Sequence, residues 1–444
     1  MPFLKFNHVW YTPDEFDPRH LQMCQLQESS NYFGNNNNFR CQQQSKTHNF
    51  VLKTEHNLFG FPKGYAALNM AFKDNDENTN RSVEGGRWAK EVEFRGTLDP
   101  QKCQPESLKK TLQMLEDSHS GGAVLCLPCG YGKTVVALAL AQILGRKTFV
   151  LCHTTFLQNQ WRDRIKTFLP RARVCLATSK QELDQDKFAH ITIGLMQSVA
   201  KIDKELLCKN YGLMIVDEAH HLPCATLRSV ICKFNTRYTL ALTATPHGRS
   251  DGLQKYIFWA IGEISAYIKA EYPNVKVMIV SHTSLYLPHL SFEDRLMTDQ
   301  SRNDRIRMII TKVVSILKRK VLVLTLRRHH VQVLNQSFLE YGVNSCAMLG
   351  GETHDLKLIA QKDVVVATFQ LVSEGFDMPD LDTLLLGMPK SDLTQVIGRI
   401  TRQKNKNTPW VIDLVDQCDT GKKKFRARKS IYKSLNMALM NSNY

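Results

Sequence analysis

Short runs of consecutive apolar residues recur along the chain from residue 94 onward, and segments with helical periodicity lie between them. Strands that are buried on both faces are apolar throughout, so these runs indicate parallel sheets covered by helices. The runs form two series that meet near residue 262, which predicts an α/β fold with two lobes. The predicted strands are 123–127, 148–151, 174–177, 191–194, 213–216 and 239–242 in the first series and 321–325, 343–348, 364–368, 383–386 and 410–415 in the second, and the predicted helices include 134–144 and 157–168.

The first 93 residues follow a different pattern. Residues 25–49 are dense in Asn, Gln and Ser, and they include four consecutive asparagines at 35–38. A segment of this composition buries too little apolar surface to fold firmly. We therefore expect three parts, which are a small, partly disordered accessory module at 1–93, a first lobe at 94–262 and a second lobe at 263–444.

Residues 125–134 read LCLPCGYGKT and join a predicted strand to a predicted helix through a loop with two glycines. The backbone N–H groups of such a loop can surround phosphates, and the helix N-terminus adds a positive dipole. Lys133 would supply a cation for the outer phosphates of a nucleotide, and the Thr134 hydroxyl would be a ligand for Mg²⁺. The candidate nucleotide-binding residues are Cys129, Gly130, Tyr131, Gly132, Lys133 and Thr134.

Two adjacent carboxylates, Asp217 and Glu218, directly follow the predicted strand 213–216. Residues in this position emerge at the carboxyl edge of a parallel sheet, where α/β folds bind their ligands. One carboxylate is expected to hold Mg²⁺, and the other to orient and deprotonate an attacking water. The alternative is a surface pair that caps the next helix. With a phosphate-binding loop upstream, the sequence favours a nucleoside triphosphatase.

A cationic helix or turn is predicted in the second lobe at 395–402. Gln395, Arg399 and Arg402 are spaced i, i+4 and i+7, so they share one face. Two guanidinium groups on one face can stabilise the charge on a transferring phosphoryl group, as arginine fingers do. The alternative is an exposed basic helix that takes no part in catalysis.

These motifs stand in a fixed order along residues 94–430, and together they resemble the motifs of superfamily 2 helicases of the DEAH-lettered kind. Within that superfamily the likeness is closest to the helicases of large cytoplasmic DNA viruses, which are related to a phage branch-migration helicase. The resemblance implies two RecA-like lobes, with ATP and Mg²⁺ in the cleft between them and a nucleic-acid strand across both. The segments that carry it are 130–134, 217–220, 243–245, 374–377 and 395–402.

The resemblance also implies roles for individual residues. Asp217 would hold Mg²⁺, and Glu218 would be the catalytic residue that activates water. His220, Thr243 and Thr245 would couple hydrolysis to movement of the strand. The residues implied to sense the γ-phosphate are Gln395, Arg399 and Arg402, the nucleotide contacts of the second lobe are Gly375 and Asp377, and the contacts to the nucleic-acid strand are Thr154, Thr155, Gln160, Gly350 and Thr368.

One element departs from the pattern of the superfamily. The segment that reads adenine, upstream of the phosphate loop, usually has the form Leu-x-x-Tyr-Gln. Residues 98–102 of this chain are LDPQK, and Gln104 follows close behind. The sequence alone therefore does not assign the glutamine that reads the base.

The formal net charge of +16 and the pI near 9.3 call for a polyanionic partner. We expect nucleic acid, and DNA rather than RNA. The positive excess is concentrated in the second half of the chain and includes a basic run at 422–429. By itself this run is as typical of a solvated face or a localisation signal as it is of a binding surface.

Composition also bears on location. The longest apolar stretch, at 135–144, is too short to cross a bilayer, and the N-terminus does not resemble a secretory signal. The twelve cysteines fit a reducing compartment. We expect an intracellular protein with no membrane partner, acting in the host cytoplasm or virion if viral, or in the nucleus.

The leading hypothesis is an ATP-dependent helicase or translocase that acts on DNA in viral transcription, repair or recombination. Partners would then include nucleic acid and a polymerase or the transcription machinery. The alternative is an ATP-gated clamp that binds nucleic acid or a polymerase and never translocates. A nuclease is less favoured, because no second carboxylate cluster with nuclease spacing follows the two lobes.

Overall fold

The computed structural model describes residues 3–5, 8–11, 16–27, 47–53, 59–70, 85–88, 91–118, 120–178, 188–208, 210–246, 251–283, 289–350, 356–373, 381–391, 393–401 and 407–441. The chain divides into two compact units, Met1–Ile268 and Lys269–Tyr444. Within the described residues, no helix is both long and apolar enough to cross a membrane.

The N-terminal part of the first unit is built from short elements. Four strands form an antiparallel sheet in the order β1-β2-β6-β5, and β3 and β4 form a separate antiparallel pair. The elements are β1 Phe3–Lys5, β2 His8–Tyr11, α1 Arg19–Met23, β3 Gln25–Gln27, β4 Thr47–Asn49, β5 Leu52–Lys53, β6 Phe59–Pro62 and α2 Lys63–Asn69.

The rest of the first unit is a seven-stranded parallel sheet in the order β13-β7-β12-β11-β8-β10-β9. The strands are β7 Gly122–Cys126, β8 Thr148–Cys152, β9 Val174–Ala177, β10 Ile191–Leu195, β11 Leu213–Val216, β12 Tyr238–Thr243 and β13 Ile264–Tyr267. The helices are α3 Gln104–Asp117, α4 Lys133–Leu144, α5 Thr155–Phe168, α6 Met196–Val199, α7 Lys204–Cys208, α8 Ala225–Ile231 and α9 Lys255–Ala260.

The strands of this sheet have uninterrupted apolar sequences because both faces of the sheet are covered by apolar cores. Along β7, Ala123 and Leu125 pack into the core on one face, whereas Val124 and Cys126 pack into the core on the other. Each residue of such a strand is therefore buried, although neighbouring side chains point in opposite directions. Because β13 pairs with β7, the first unit extends to Ile268, six residues beyond the boundary expected after residue 262.

The second unit is also a seven-stranded parallel sheet, in the order β16-β17-β15-β18-β19-β14-β20, with apolar cores on both faces. Its strands are β14 Lys276–His282, β15 Val321–Thr325, β16 Ser345–Met348, β17 Val364–Thr368, β18 Thr383–Leu386, β19 Trp410–Asp416 and β20 Ala438–Asn441. Its helices are α10 Phe292–Thr298, α11 Gln300–Ser315, α12 Arg328–Glu340, α13 Leu356–Ala360, α14 Phe369–Ser373, α15 Thr394–Ile400 and α16 Asp419–Ser434.

Described parts of the N-terminal segment pack directly against α9 of the first unit. The ring of Phe50 stacks on that of Tyr256, with centroids 4.4 Å apart, and Tyr65 meets the edge of Trp259 at 5.6 Å. The Lys63 side chain is buried, and its Nζ donates a hydrogen bond of 3.5 Å to the carbonyl oxygen of Thr236. Residues 47–53 and 59–70 thus share an aromatic interface with the first sheet domain.

We expect Gly64→Ala to weaken the docking of α2 on α9. A Cβ at residue 64 would lie 2.4 Å from the carbonyl oxygen of Phe258, a backbone atom that cannot move without shifting α9. Overpacking of this kind costs about 1–3 kcal/mol. Limited trypsin digestion should therefore cut the N-terminal segment faster in the variant than in the wild type.

Gly86→Ala is the matched control, because a Cβ at that position would meet no atom within 4 Å. Cleavage of the N-terminal segment should proceed at the wild-type rate in this control. If Gly64→Ala is also cut at the wild-type rate, the packing of α2 against α9 does not hold the segment in place.

Candidate nucleotide-binding site

Four loops of the first unit lie at one edge of its sheet. Strands β7, β12, β11 and β8 are parallel neighbours in that order, so their carboxyl ends meet at the same edge. The phosphate loop follows β7, Thr243 ends β12, Asp217 follows β11 and His153 follows β8. The strand order therefore brings together motifs that are far apart in the sequence.

The phosphate loop, residues 127–132, connects β7 to α4. Gly130 and Gly132 each have a φ of 81°, a left-handed conformation that glycine adopts without steric cost. Lys133 is the first residue of α4, and its Nζ donates to the carbonyl oxygen of Leu127 at 3.2 Å. A cation held against a loop that opens a helix is an arrangement suited to phosphate. Of the other candidates in this segment, Cys129 is buried and Tyr131 and Thr134 are half-buried.

Gln104 supports the phosphate loop from α3. Its Oε1 accepts a hydrogen bond from the backbone N–H of Asp99 at 2.9 Å, and its Nε2 donates to the carbonyl oxygen of Tyr131 at 2.8 Å. A Cβ at Gly132 would lie 2.4 Å from the same Nε2, so the two residues are in close contact. Gln101, by contrast, is exposed. Gln104 is thus the glutamine of this segment that contacts the nucleotide loop.

Asp217 is buried at the end of β11, and both of its carboxylate oxygens accept hydrogen bonds. The indole N–H of Trp161 donates to Oδ2 at 2.8 Å, and the backbone N–H of Glu218 donates to Oδ1 at 2.9 Å. Burial, followed by the charge of Glu218, raises the pKa of Asp217 from 3.8 to about 6, and Trp161 and Lys133 oppose that rise. The site therefore favours a cation beside this carboxylate.

Glu218 is held in an unusual backbone conformation. Its φ is 46°, a left-handed value that a residue with a side chain seldom adopts and that is typical of functional sites. The Glu218 side chain is nearly buried, and its Oε2 lies 3.3 Å from Nδ1 of His220. The carboxylate is thus in contact with an imidazole two residues away.

The chemistry of these donors fits Mg²⁺. This ion prefers oxygen ligands and is usually held by one or two carboxylates together with waters and substrate phosphates. Asp217 supplies a buried carboxylate, and Thr134 supplies a hydroxyl in the first turn of α4. In the described part of the chain, no three His, Cys, Asp or Glu residues form a metal site by themselves.

Two further motifs contact their neighbours at this edge. The ring of His153, after β8, lies 4.5 Å from that of His221, which in turn lies 4.2 Å from the ring of His220. On the other side, the buried Thr243 accepts a hydrogen bond of 3.1 Å at its Oγ1 from the backbone N–H of Thr245. These imidazole contacts connect the loop after β8 to the segment after β11.

Comparison with known proteins gives matches to helicases. A family model described as the type III restriction enzyme, res subunit, matches residues 97–248, which include all four loops. A protein of Acanthamoeba polyphaga mimivirus, designated an ATP-dependent RNA helicase (L396), is 27% identical over 412 residues, or 87% of this chain and 77% of that protein. A protein of Invertebrate iridescent virus 6, designated a helicase (161L), is 28% identical over 362 residues, or 73% of this chain and 78% of that protein.

A solved structure agrees in fold. The structure of S. cerevisiae Dbp5 bound to RNA and ADP BeF3 aligns with a TM-score of 0.57 and 13% sequence identity, over 77% of this chain and 89% of that chain. The motif order, the two parallel sheets and the relatives all lead to one family. The chain resembles the superfamily 2 helicases. The predictions of two RecA-like lobes and of this superfamily are confirmed.

Four of the five candidate contacts to the nucleic-acid strand lie at or next to the end of a strand or helix, and Gln160 lies within α5. Thr154 caps α5, since its Oγ1 accepts from the backbone N–H of Leu157 at 3.3 Å. In the second unit, Thr368 ends β17 and its Oγ1 accepts from the backbone N–H of Leu371 at 3.3 Å. Thr155 and Gln160 belong to α5, and Gly350 follows β16, which neighbours β17.

Other predicted residues of the helicase lie outside the described part. Gly375, Asp377 and Arg402 fall in segments that the structure does not describe. Gln395 and Arg399 lie four residues apart in the backbone of α15, and their side chains also lie outside the description. Their roles in nucleotide binding and γ-phosphate sensing stay predictions.

The contact between Trp161 and Asp217 can be tested in the helicase by Trp161→Phe. This change keeps most of the buried ring and removes the N–H donor. A hydrogen bond to a charged group contributes about 1.5–3 kcal/mol, so the Mg²⁺ concentration for half-maximal ATPase activity should rise about tenfold or more. The kcat at saturating Mg²⁺ should change little, because Trp161 acts by positioning Asp217.

Trp88→Phe is the matched control, because the indole N–H of Trp88 has no hydrogen-bond partner among the described residues. This variant should keep the Mg²⁺ dependence of the wild type. Equal Mg²⁺ dependence in both variants would show that Trp161 does not position Asp217.

Proposed function

We propose that this helicase is an ATP-driven motor that requires Mg²⁺ and moves along DNA. The observation that carries the proposal is the buried pair of Asp217 and Glu218 at the sheet edge that also bears the phosphate loop. A phosphate-binding loop beside two carboxylates at the end of a strand provides the groups needed to transfer a phosphoryl group to water.

In this proposal each candidate site residue of the first unit has a defined role. The phosphate loop and Lys133 bind the phosphates, and Thr134 and Asp217 hold the metal. Mg²⁺ would neutralise charge that develops on the phosphate oxygens. Glu218, in contact with His220, would accept the proton of the attacking water. Such proton transfer contributes about 10² to 10⁴ in rate.

We extend the proposal to the second unit on the strength of sequence spacing. Arg399 and Arg402, with Gln395, are proposed to sense the γ-phosphate, and Gly375 and Asp377 to contact the nucleotide. His220, Thr243 and Thr245 are proposed to couple hydrolysis to strand movement. The contacts to the strand are proposed for Thr154, Thr155, Gln160, Gly350 and Thr368.

DNA is the proposed track because the matching family model is named for a restriction enzyme, a class that acts on DNA by definition. RNA is the second candidate, because the mimivirus relative is designated an RNA helicase and Dbp5 is bound to RNA in its structure. We propose an intracellular role in viral transcription, repair or recombination, with a polymerase or the transcription machinery as a partner.

The test is steady-state ATPase activity of the wild type and of Glu218→Gln with no polymer, single-stranded DNA, duplex DNA or RNA. We expect DNA to stimulate the wild type strongly and Glu218→Gln to lose about 10² to 10⁴ of that rate, because the general base is absent. Stronger stimulation by RNA would make RNA the track.

Glu116→Gln serves as the control, since Glu116 is an exposed carboxylate on α3. It should keep wild-type turnover. Tight polymer binding without stimulated hydrolysis in the wild type would contradict the motor and favour an ATP-gated clamp. Turnover of Glu218→Gln equal to that of the control would remove Glu218 from the mechanism.

A further inference from the structure

Helix α16 carries seven cationic residues, and the sequence left the role of this basic run open. The structure divides six of them into two groups, and the seventh, Lys423, belongs to neither. Arg428 is buried and forms two hydrogen bonds of 2.8 Å with the carboxylate of Asp413, which also accepts the Tyr432 hydroxyl at 2.8 Å. Lys424 donates to Glu293 of α10 at 2.8 Å. These two cations anchor the helix to the second unit.

Four of the other cations, Lys422, Arg426, Lys429 and Lys433, form what we call the basic ridge. All four are exposed, and none forms an ion pair or hydrogen bond through its side chain with any residue that the structure describes. At 3.6 residues per turn, they fall within about 60° of the helix circumference and extend about 16 Å along its axis. The ridge is a straight row of unpaired positive charge on an anchored helix.

The helix itself places one acidic residue near the ridge. Asp419, the single acidic residue of α16, is exposed and lies three residues before Lys422, beside the N-terminal end of the ridge. The other exposed residues beside the ridge are Lys423, Ala427, Ser430 and Ser434, so α16 carries no acidic residue along the remaining length of the ridge. Like charges at i and i+4 destabilise a helix. The anchors on the buried face offset this repulsion, which leaves the ridge available to a polyanion.

We propose that the basic ridge binds the phosphate backbone of the nucleic acid on which the helicase acts. Charge complementarity selects this occupant, because a duplex presents regularly spaced phosphates over a length that the ridge matches. A linear localisation signal fits less well, since Arg428 and Lys424 of the same run are held in contacts within the unit. The ridge is a second contact surface, separate from the motif residues, and it reads charge rather than sequence.

The inference rests on the proposed function, in that the chain must bind nucleic acid. The test uses the full chain and fluorescence anisotropy with a labelled DNA duplex and an RNA duplex of the same sequence, over a series of salt concentrations. The ridge variant is Arg426→Gln with Lys429→Gln. The charge-matched control is Lys109→Gln with Lys110→Gln, two exposed cations on α3.

We expect the ridge variant to bind duplex at least tenfold more weakly than the control at low salt. Each lost phosphate contact reduces the slope of log K against log salt by about 0.9, so two contacts reduce it by about 1.8. The kcat of the ATPase at saturating nucleic acid should stay at the wild-type value, because the ridge is outside the nucleotide site. The charge-conserving variant Arg426→Lys with Lys429→Arg should bind like the wild type.

The experiment distinguishes failure of the ridge proposal from failure of the proposed function. A wild type that binds duplex, with ridge and control variants of equal affinity and equal salt slope, would overturn the ridge alone. An acidic protein as the true occupant would give this result. A wild type that binds neither duplex and shows no stimulated hydrolysis would overturn the proposed function, and the ridge with it.

Discussion

The burial of two adjacent carboxylates is the constraint on which the candidate site depends. Asp217 and Glu218 are both removed from water, and each raises the cost of charging the other. The Trp161 donor and the Lys133 cation oppose that cost from two other segments. The first residue of α4 and the Trp161 side chain of α5 therefore stabilise the charged carboxylate pair.

The sheets could be predicted from the sequence wherever strands are buried on both faces. Strands at 174–177, 213–216, 321–325, 364–368 and 383–386 have the predicted bounds, because an uninterrupted apolar run leaves few other interpretations. Three strands were missed, β13, β14 and β20. The first and last are edge strands of four residues, and the apolar part of β14 is the four residues 277–280, so each presents only a short apolar run.

The motifs of the site could be predicted from the sequence, but the residues that contact and position those motifs could not. A loop between strand and helix, or two carboxylates after a strand, can be recognised from neighbouring residues alone. Gln104 and Trp161 act on Tyr131 and Asp217, which lie 27 and 56 residues away. No local pattern identifies such a contact, because it exists only once strand order has brought α3 and α5 to the site. Trp161 follows a candidate strand contact in sequence, yet it is fully buried.

Net charge indicates the class of partner but not the place where that partner binds. In the second unit, Arg302 pairs with Asp416 at 2.8 Å and Arg428 with Asp413 at 2.8 Å, all of them buried. Those arginines are not available to bind nucleic acid. Breaking a buried ion pair leaves an uncompensated charge, which costs about 3–5 kcal/mol. A basic run therefore has to be divided into anchored and unpaired cations before it is interpreted. On α16 that division leaves one straight row, and its geometry is a stronger argument for a phosphate backbone than the overall charge of the chain.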